Sequence, residues 1–153
     1  MSPADVLSRL RRFLLAFSIA LLAGALLELW LIGHTEDPVQ FVPFVLCGLG
    51  MLAVVAALAR PRRATLMVLR VCMALVVLGS LVGIYLHVES NLALQREISP
   101  NATAGATLFG ALGGANPLLA PGILAVAAML ALAATYHHTA LGNKEQSGSG
   151  GIG

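Results

Sequence analysis

The chain has 153 residues, of which 58% are hydrophobic and only 10% are charged, with a formal net charge of +2 and a mean hydropathy of +0.89. A soluble domain carries about 25% charged residues, so this composition excludes an ordinary soluble fold and predicts an all-α integral membrane protein. It also lacks the strongly basic balance of a nucleic-acid-binding protein.

Four stretches are long and apolar enough to cross a bilayer, which takes about 20 residues. Backbone polar groups in hydrocarbon must bond within their own segment, so we expect all four stretches to be helices. The stretches cover residues 13–33, 41–59, 65–86 and 117–136. The first has a basic lead-in, but it is too long for the core of a signal peptide, and we expect it to be retained.

The connections between these stretches differ in length. Residues 34–40 and 60–64 are short turns, whereas residues 88–116 form a long segment. Its polar first part, 88–98, is interpreted as a short continuing helix. We expect the segment to cap the outer ends of the helices, and the alternative is a shallow re-entrant piece. We therefore predict one four-helix transmembrane domain over residues 1–141. A flexible tail rich in glycine and serine follows at 142–153.

The two halves of the chain resemble each other. The outer ends of the first and third stretches carry the same His-x-Glu signature, at residues 34–36 and 87–89. The stretches that follow align without a gap from Pro43 and Pro121. This pattern predicts two tandem helical hairpins in the same orientation, related by an axis along the membrane normal. The alternative is a chance similarity between apolar helices.

The positions of the basic residues predict which side of the membrane each connection occupies, because lysine and arginine accumulate on the cytoplasmic side. Seven of the nine basic residues flank the N-terminus or the second connection, namely Arg9, Arg11, Arg12, Arg60, Arg62, Arg63 and Arg70. Both termini and the 60–64 turn are therefore predicted to be inside, and the 34–40 and 87–116 connections outside. We expect a bacterial inner (plasma) membrane.

Two imidazoles and two carboxylates thus fall on the outer face, contributed by His34, Glu36, His87 and Glu89. These ligand types suit zinc and similar divalent ions, and His34 and His87 are the candidate metal ligands. Residues two apart do not share a helical face, so such a site would form between the two segments. The alternative is that these residues merely solvate helix ends.

Glu28 is the only acid within a predicted span, about 9 Å deeper than His34 by helical rise. Acids inside a membrane are costly and are candidate functional residues by default. In a proton-coupled version of the site, Glu28 would carry the proton and His34 would relay it to the outside. Alternatively, Glu28 reaches the interface or hydrogen-bonds to a neighbouring helix as packing.

At the inner face, Arg60, Arg62, Arg63 and Arg70 are predicted to contact lipid headgroups. A haem between the two outer histidines is disfavoured, because a porphyrin would be poorly enclosed at the helix ends. The two cysteines lie at different depths, which argues against a disulfide. No serine–histidine–acid arrangement is visible, so the sequence gives no indication of an enzyme.

The sequence favours a protein that binds a small ligand or cation at its outer face. Transport of that ligand across the membrane is a further version of the same hypothesis. Glu28, His34 and His87 would form the site, with Glu36 and Glu89 in support. One alternative is an accessory subunit of a larger membrane complex, or a homodimer, packed through small-residue stripes such as Gly79-x-x-x-Gly83. A second alternative is a membrane redox subunit with a bound cofactor.

Overall fold

The computed structural model describes residues 2–35, 37–116 and 118–142. This part of the chain is all helical and contains no strand. Its five α-helices are α1 (Pro3–Leu31), α2 (Val42–Ala59), α3 (Arg63–Ile98), α4 (Ala104–Leu112) and α5 (Leu119–Ala134). Two 3-10 turns, Pro38–Phe41 and Thr139–Leu141, precede α2 and follow α5. Glu36, Pro117 and residues 143–153 of the predicted tail lie outside the described residues.

Three segments are long and apolar enough to cross a membrane by length and composition, namely Pro3–Leu31, Pro38–Ala59 and Arg63–Ile98. The remaining apolar helix, α5, has 16 residues, or about 24 Å of helical rise. The hydrocarbon core of a bilayer is about 30 Å thick, so α5 is shorter than an untilted span. The chain is therefore an all-helical protein with three helices compatible with membrane spans.

Local capping explains why α1 begins well before its apolar stretch. The Ser2 hydroxyl accepts a hydrogen bond from the Asp5 amide at 3.2 Å, while the Asp5 carboxylate accepts one from the Ser2 amide at 3.0 Å. This reciprocal capping box starts the helix. Pro3 suits the first position because proline lacks a backbone N–H, and an N–H at that position would have no partner within the helix. The polar lead of the chain is thus the first turns of α1.

The third helix is the longest of the five. Its 36 residues correspond to about 54 Å of rise, which exceeds the hydrocarbon core by a wide margin. The excess lies beyond the apolar stretch, where the helix continues from His87 to Ile98 through a polar sequence. The first part of the predicted cap segment is therefore a projecting end of α3.

Among the described elements, α1 and α3 each pack against both α2 and α5 and do not contact each other. The buried positions recur three and four residues apart, which is the spacing of left-handed helix packing. On α1 they are Leu15, Ser18, Leu22, Ala25 and Leu29, and on α3 they are Leu66, Leu69, Met73, Val76 and Ser80. The core thus runs between these helices along the C-terminal half of α1.

Side-chain hydrogen bonds fix the direction of α5. The Ser80 hydroxyl donates to the Pro121 carbonyl near the start of α5, and the Ser18 hydroxyl donates to the Ala127 carbonyl at 2.8 Å in its middle. At its end, Arg70 of α3 donates to Thr135. Because Arg70 precedes Ser80 along α3, α5 runs antiparallel to α3.

The short helix α4 packs on the projecting end of α3 and contacts no other described element. The centre of this contact is Asn91, whose side chain is only 1% exposed. Its amide nitrogen donates to the Asn116 carbonyl and its oxygen accepts from the Asn116 amide, both at 2.9 Å. Close approach is permitted by Gly110 and Gly114, which face Gln95 and Asn91. We call this pair of helices the outer hairpin.

Candidate functional site

A cavity of about 360 Å³ lies among α1, α2, α3 and α5, at the level of His34 and His87. Its walls come from the last turns of α1, the start of α2, the middle of α3 and the start of α5. A volume of this size falls within the range of small-molecule sites in proteins. Both outer histidines, His34 and His87, line it.

The end of α1 positions His34 through its backbone. Gly33 adopts a left-handed φ of +68°, its amide donates to the Trp30 carbonyl at 3.2 Å, and the His34 amide donates to the Leu29 carbonyl at 3.0 Å. This pair of bonds is a Schellman motif, which glycine favours because it has no Cβ. The motif ends α1 and turns the chain so that His34 lines the cavity.

The second imidazole projects from a regular part of α3. His87 lies one turn beyond Gly83, and both residues line the cavity, as does Ser90 one turn farther out. His34 and His87 are both half-buried, and burial, and after it the nearby imidazole of His34, lowers the pKa of His87. The two signatures therefore contribute one imidazole each to a shared site.

Glycines on α3 form the deeper wall. A Cβ atom built on Gly79 would clash with Cδ1 of Leu46 on α2, and one built on Gly83 would lie 3.3 Å from Cβ of Pro121 on α5. The two glycines thus bring α3 close to a different neighbour each. In this chain the Gly79-x-x-x-Gly83 stripe is used within the molecule, and both of its glycines line the cavity.

Polar groups that the sequence did not indicate as site residues complete the outer rim. Gln40, Ser90 and Asn116 line the cavity together with the two histidines. The Asn116 amide nitrogen donates to the Ser90 hydroxyl at 3.0 Å, and Asn91 holds the Asn116 backbone. Asn91 and Asn116 are 25 residues apart, so their pairing leaves no periodic pattern in the sequence. Only the polarity of 88–91 beyond an apolar helix hinted at them.

The carboxylates are placed differently from the histidines. Glu28 is exposed on the outer surface of α1, away from the cavity lining, and has no hydrogen-bond or ion-pair partner among the described residues. Glu89 is also exposed and does not line the cavity. Glu36 lies outside the described residues. Of the five candidate site residues, the described structure brings together only His34 and His87.

A metal at this site would depend on few protein ligands. No group of three or more histidine, cysteine, aspartate or glutamate residues that could hold a metal ion occurs within residues 2–35, 37–116 and 118–142. Zinc sites in proteins normally use three or four protein ligands. His34 and His87 could supply two, leaving the remaining positions to water or to a ligand.

The arginines predicted to lie at the inner face fall into two groups. Arg60, Arg62 and Arg63 are exposed, whereas Arg70 is half-buried and donates from Nε to the Thr135 hydroxyl at 2.9 Å. Beyond α5, the imidazole of His138 accepts a hydrogen bond from the Ala140 amide. Burial, and after it the positive charge of Arg11, lowers the pKa of His138.

Comparison with known proteins gave no match to this chain, either among protein-family models, among curated proteins or among solved structures. Any functional conclusion therefore depends on the cavity, its chemistry and the membrane-compatible helices around it.

Proposed function

We propose that this protein binds a small ligand in the cavity at the extracytoplasmic face of a membrane, with His34 and His87 contacting the polar part of the ligand. The observation that carries this proposal is that imidazoles from two different helices line one cavity of ligand size. A neutral imidazole offers one hydrogen-bond donor and one acceptor, so two of them can orient a polar group.

The proposal includes a four-helix transmembrane bundle made of two tandem hairpins, α1–α2 and α3–α5. Support comes from which helices pack together. A two-fold axis along the membrane normal would relate α1 to α3 and α2 to α5, so it would make the contact between α1 and α5 equivalent to the contact between α3 and α2, and both contacts are present. Further support comes from the cavity lining, which includes the aligned pairs Val42/Ala120, Pro43/Pro121 and Leu46/Leu124. The cavity would then lie on the axis.

Binding is better supported than passage across the membrane. Below the cavity, the core is filled by large buried side chains from three helices. Leu22, Val54, Leu69 and Met73 are each fully buried. Protein interiors packed in this way leave little room for a solute, so passage would require these side chains to move.

The experiment is an analysis of what the detergent-purified protein retains. Bound small molecules are identified by mass spectrometry and metals by elemental analysis, in the unmodified protein, in the H34A/H87A double variant and in Ala120→Leu. Ala120 lines the cavity, and a leucine at this position would occupy part of it. Ala133→Leu, at an exposed position of the same helix, is the matched control.

We expect about one retained molecule or ion per chain in the unmodified protein and in Ala133→Leu. Ala120→Leu should lose it, and the double histidine variant should retain less. Retention of a metal that depends on both histidines would assign the ligand as a cation. If neither the unmodified protein nor any folded variant retained a molecule or ion, the binding proposal would be wrong.

The exposure of Glu28 favours a second candidate, an accessory subunit or a homodimer. A carboxylate on a lipid-facing surface is costly, and a partner covering this face of α1 would remove that cost. Under this candidate, Glu28→Gln changes the size of the purified assembly and leaves ligand retention unchanged. Under the proton-coupled version of the site, the same substitution would instead alter ligand retention.

A further inference from the structure

The cavity has a polarity gradient along the membrane normal. Its deep end is formed by apolar side chains and glycine, including Ala25, Leu46 and Leu124, and the Ser80 hydroxyl proton at this depth is donated to the Pro121 carbonyl. The polar side chains that remain, His34 and His87 among them, lie at the outer end. A ligand that fills this space must be apolar along most of its length and polar at one end.

The cavity is also elongated along the helices. Its lining on α3 runs from Gly79 to Ser90, and these eleven steps correspond to about 16 Å of helical rise. On the opposite side, its lining runs from Ala25 of α1 to His34, just beyond the end of that helix. An extended chain fits this shape better than a compact, water-soluble solute.

Apolar residues at the rim also face outward. Val42 of α2 and Val82 and Leu86 of α3 line the cavity, yet they are 48%, 57% and 45% exposed. Between the outer halves of α2 and α3 there is thus an apolar side opening, at the depth where we expect the outer leaflet. An ion would have to cross hydrocarbon to use this entrance, whereas a lipid chain would not.

The charges at the outer end favour an acceptor head group. The two imidazoles repel each other when both are protonated, and no carboxylate occurs among the described lining residues. A cationic head would therefore meet no compensating charge, whereas an oxygen acceptor could accept N–H bonds from either imidazole.

We infer that the ligand is a single-chain, lipid-like amphiphile that enters from the outer leaflet between α2 and α3, with its chain toward Gly79 and an oxygen-bearing head at His34 and His87. This inference rests on the proposed function and specifies its ligand. The head oxygen belongs either to a carboxylate or to a neutral hydroxyl, and the experiment separates these two sources.

The test is photolabelling of the full chain in liposomes with a fatty acid, the matching fatty alcohol and the matching alkane. Each probe carries a diazirine either at the chain end or at the carbon nearest the head. Labelled peptides are mapped by mass spectrometry. The chain-end diazirine should label residues near Leu46 and Leu124, and the head-proximal diazirine should label residues near His87 and Ser90. This comparison uses the unmodified protein, so it does not depend on the folding of a variant.

We expect labelling by the preferred headed probe to fall about tenfold in H34A/H87A, because hydrogen bonds from two imidazoles are lost. Ala120→Leu should abolish it and Ala133→Leu should preserve it. A stronger signal from the acid identifies a carboxylate head, and a stronger signal from the alcohol identifies a neutral one. Either result supports the inference.

Equal labelling by the alkane, or label positions that do not depend on where the diazirine sits, would overturn the inference. If the purified protein retains a metal or a water-soluble molecule in the cavity while the probes label only exposed residues, the binding function stands and the lipid-like ligand is wrong. If nothing is retained and no probe responds to Ala120→Leu, both proposals fail.

Discussion

Two arginines donate hydrogen bonds to the backbone just beyond the end of α5. Arg70 donates from a terminal nitrogen to the Thr135 carbonyl at 3.1 Å, in addition to its bond with the Thr135 hydroxyl. Arg11 donates to the carbonyls of Tyr136 and His137 at 2.9 and 3.0 Å. Thr135 is the C-cap of α5, and the end of a helix carries a partial negative charge, so a cation is stabilising there. Tyr136 and His137 follow the helix, and Arg11 holds them by direct hydrogen bonds. These two side chains therefore join α1 and α3 to the end of α5.

Arg70→Lys keeps the charge but removes the planar fork that serves both the hydroxyl and the carbonyl of Thr135. We expect the free energy of unfolding to fall by about 1.5–3 kcal/mol, which is the scale of a lost hydrogen bond to a charged group. Arg63→Lys, at an exposed position without such a bond, is the control. Denaturation of both variants in the same detergent gives the measurement. Equal stabilities would mean that Arg70 acts mainly as a lipid contact.

At the scale of single residues, the sequence indicated the histidines of the site more readily than the rest of it. The repeated His-x-Glu signature led to His34 and His87, which do line one cavity. The sequence does not show whether Glu28 faces the cavity or the outside of the molecule. α1 is apolar on nearly every face, so its hydrophobic pattern does not determine which face packs against the other helices. Asn91 and Asn116 carried no signal, because their pairing depends on a fold-back of 25 residues.

Among the elements, the outer hairpin is held by a close fit between polar side chains and glycines. A Cβ atom on Gly114 would lie 2.5 Å from Cγ and 2.9 Å from Cβ of Asn91. The Asn91 side chain cannot move aside without breaking its two bonds to Asn116. A Cβ atom on Gly110 would instead meet the terminal amide of Gln95 at 2.6 Å, and that amide lies at the end of a flexible, half-buried side chain.

These contacts predict different outcomes for two matched substitutions. Gly114→Ala should destabilise the outer hairpin by about 1–3 kcal/mol, the usual cost of overpacking. Gly110→Ala should be nearly neutral, because Gln95 can turn away and alanine favours helix. Hydrogen exchange of the α4 amides is the measurement, since it reports local opening of the hairpin. Similar exchange rates in the two variants would show that Asn91 does not hold α4 in place.

Apolar length alone predicted the existence of the long helices, and the structure confirms an all-helical chain with three helices compatible with spans. Apolar length by itself does not show where polar sequence continues a helix, which the sequence predicts over 88–98 but not at the start of α1. The N-terminal extension of α1 depends on the Ser2–Asp5 capping box. The extension of α3 to Ile98 depends on tertiary packing against α4. Neither the cap nor the packing changes the hydropathy of the segment.

At the scale of the whole molecule, the path of α5 determines how many times the chain crosses the membrane. The first turn of α5 lies beside the cavity, which Pro121 lines. The chain at the other end of α5 contacts Arg11 and Arg70. These arginines lie near the N-terminal ends of α1 and α3, where we predict the cytoplasmic face from the basic residues. A 16-residue helix can still cross if its flanking turns continue the apolar path or if the bilayer thins locally.

We therefore predict that Gly142, beyond the end of α5, is cytoplasmic. Single cysteines are introduced as Glu97→Cys, Ala64→Cys and Gly142→Cys, all at exposed positions, in a chain whose Cys47 and Cys72 are alanine. A membrane-impermeant maleimide applied to intact cells should label Glu97→Cys, on the outer end of α3. Ala64→Cys, beside the predicted inner turn, should react only after permeabilisation.

The result at Gly142→Cys decides the count of spans, because it depends only on α5 once the other two sites are assigned. Reaction only after permeabilisation means that α5 crosses and that the C-terminal end is inside, as expected for four spans. Reaction in intact cells, with Ala64→Cys still protected, means that α5 returns to the outer side. The contacts of Arg11 and Arg70 with the end of α5 would then require charged groups buried deep in the membrane, at a cost of about 2.5–3.5 kcal/mol each. That cost is the physical reason for expecting four crossings.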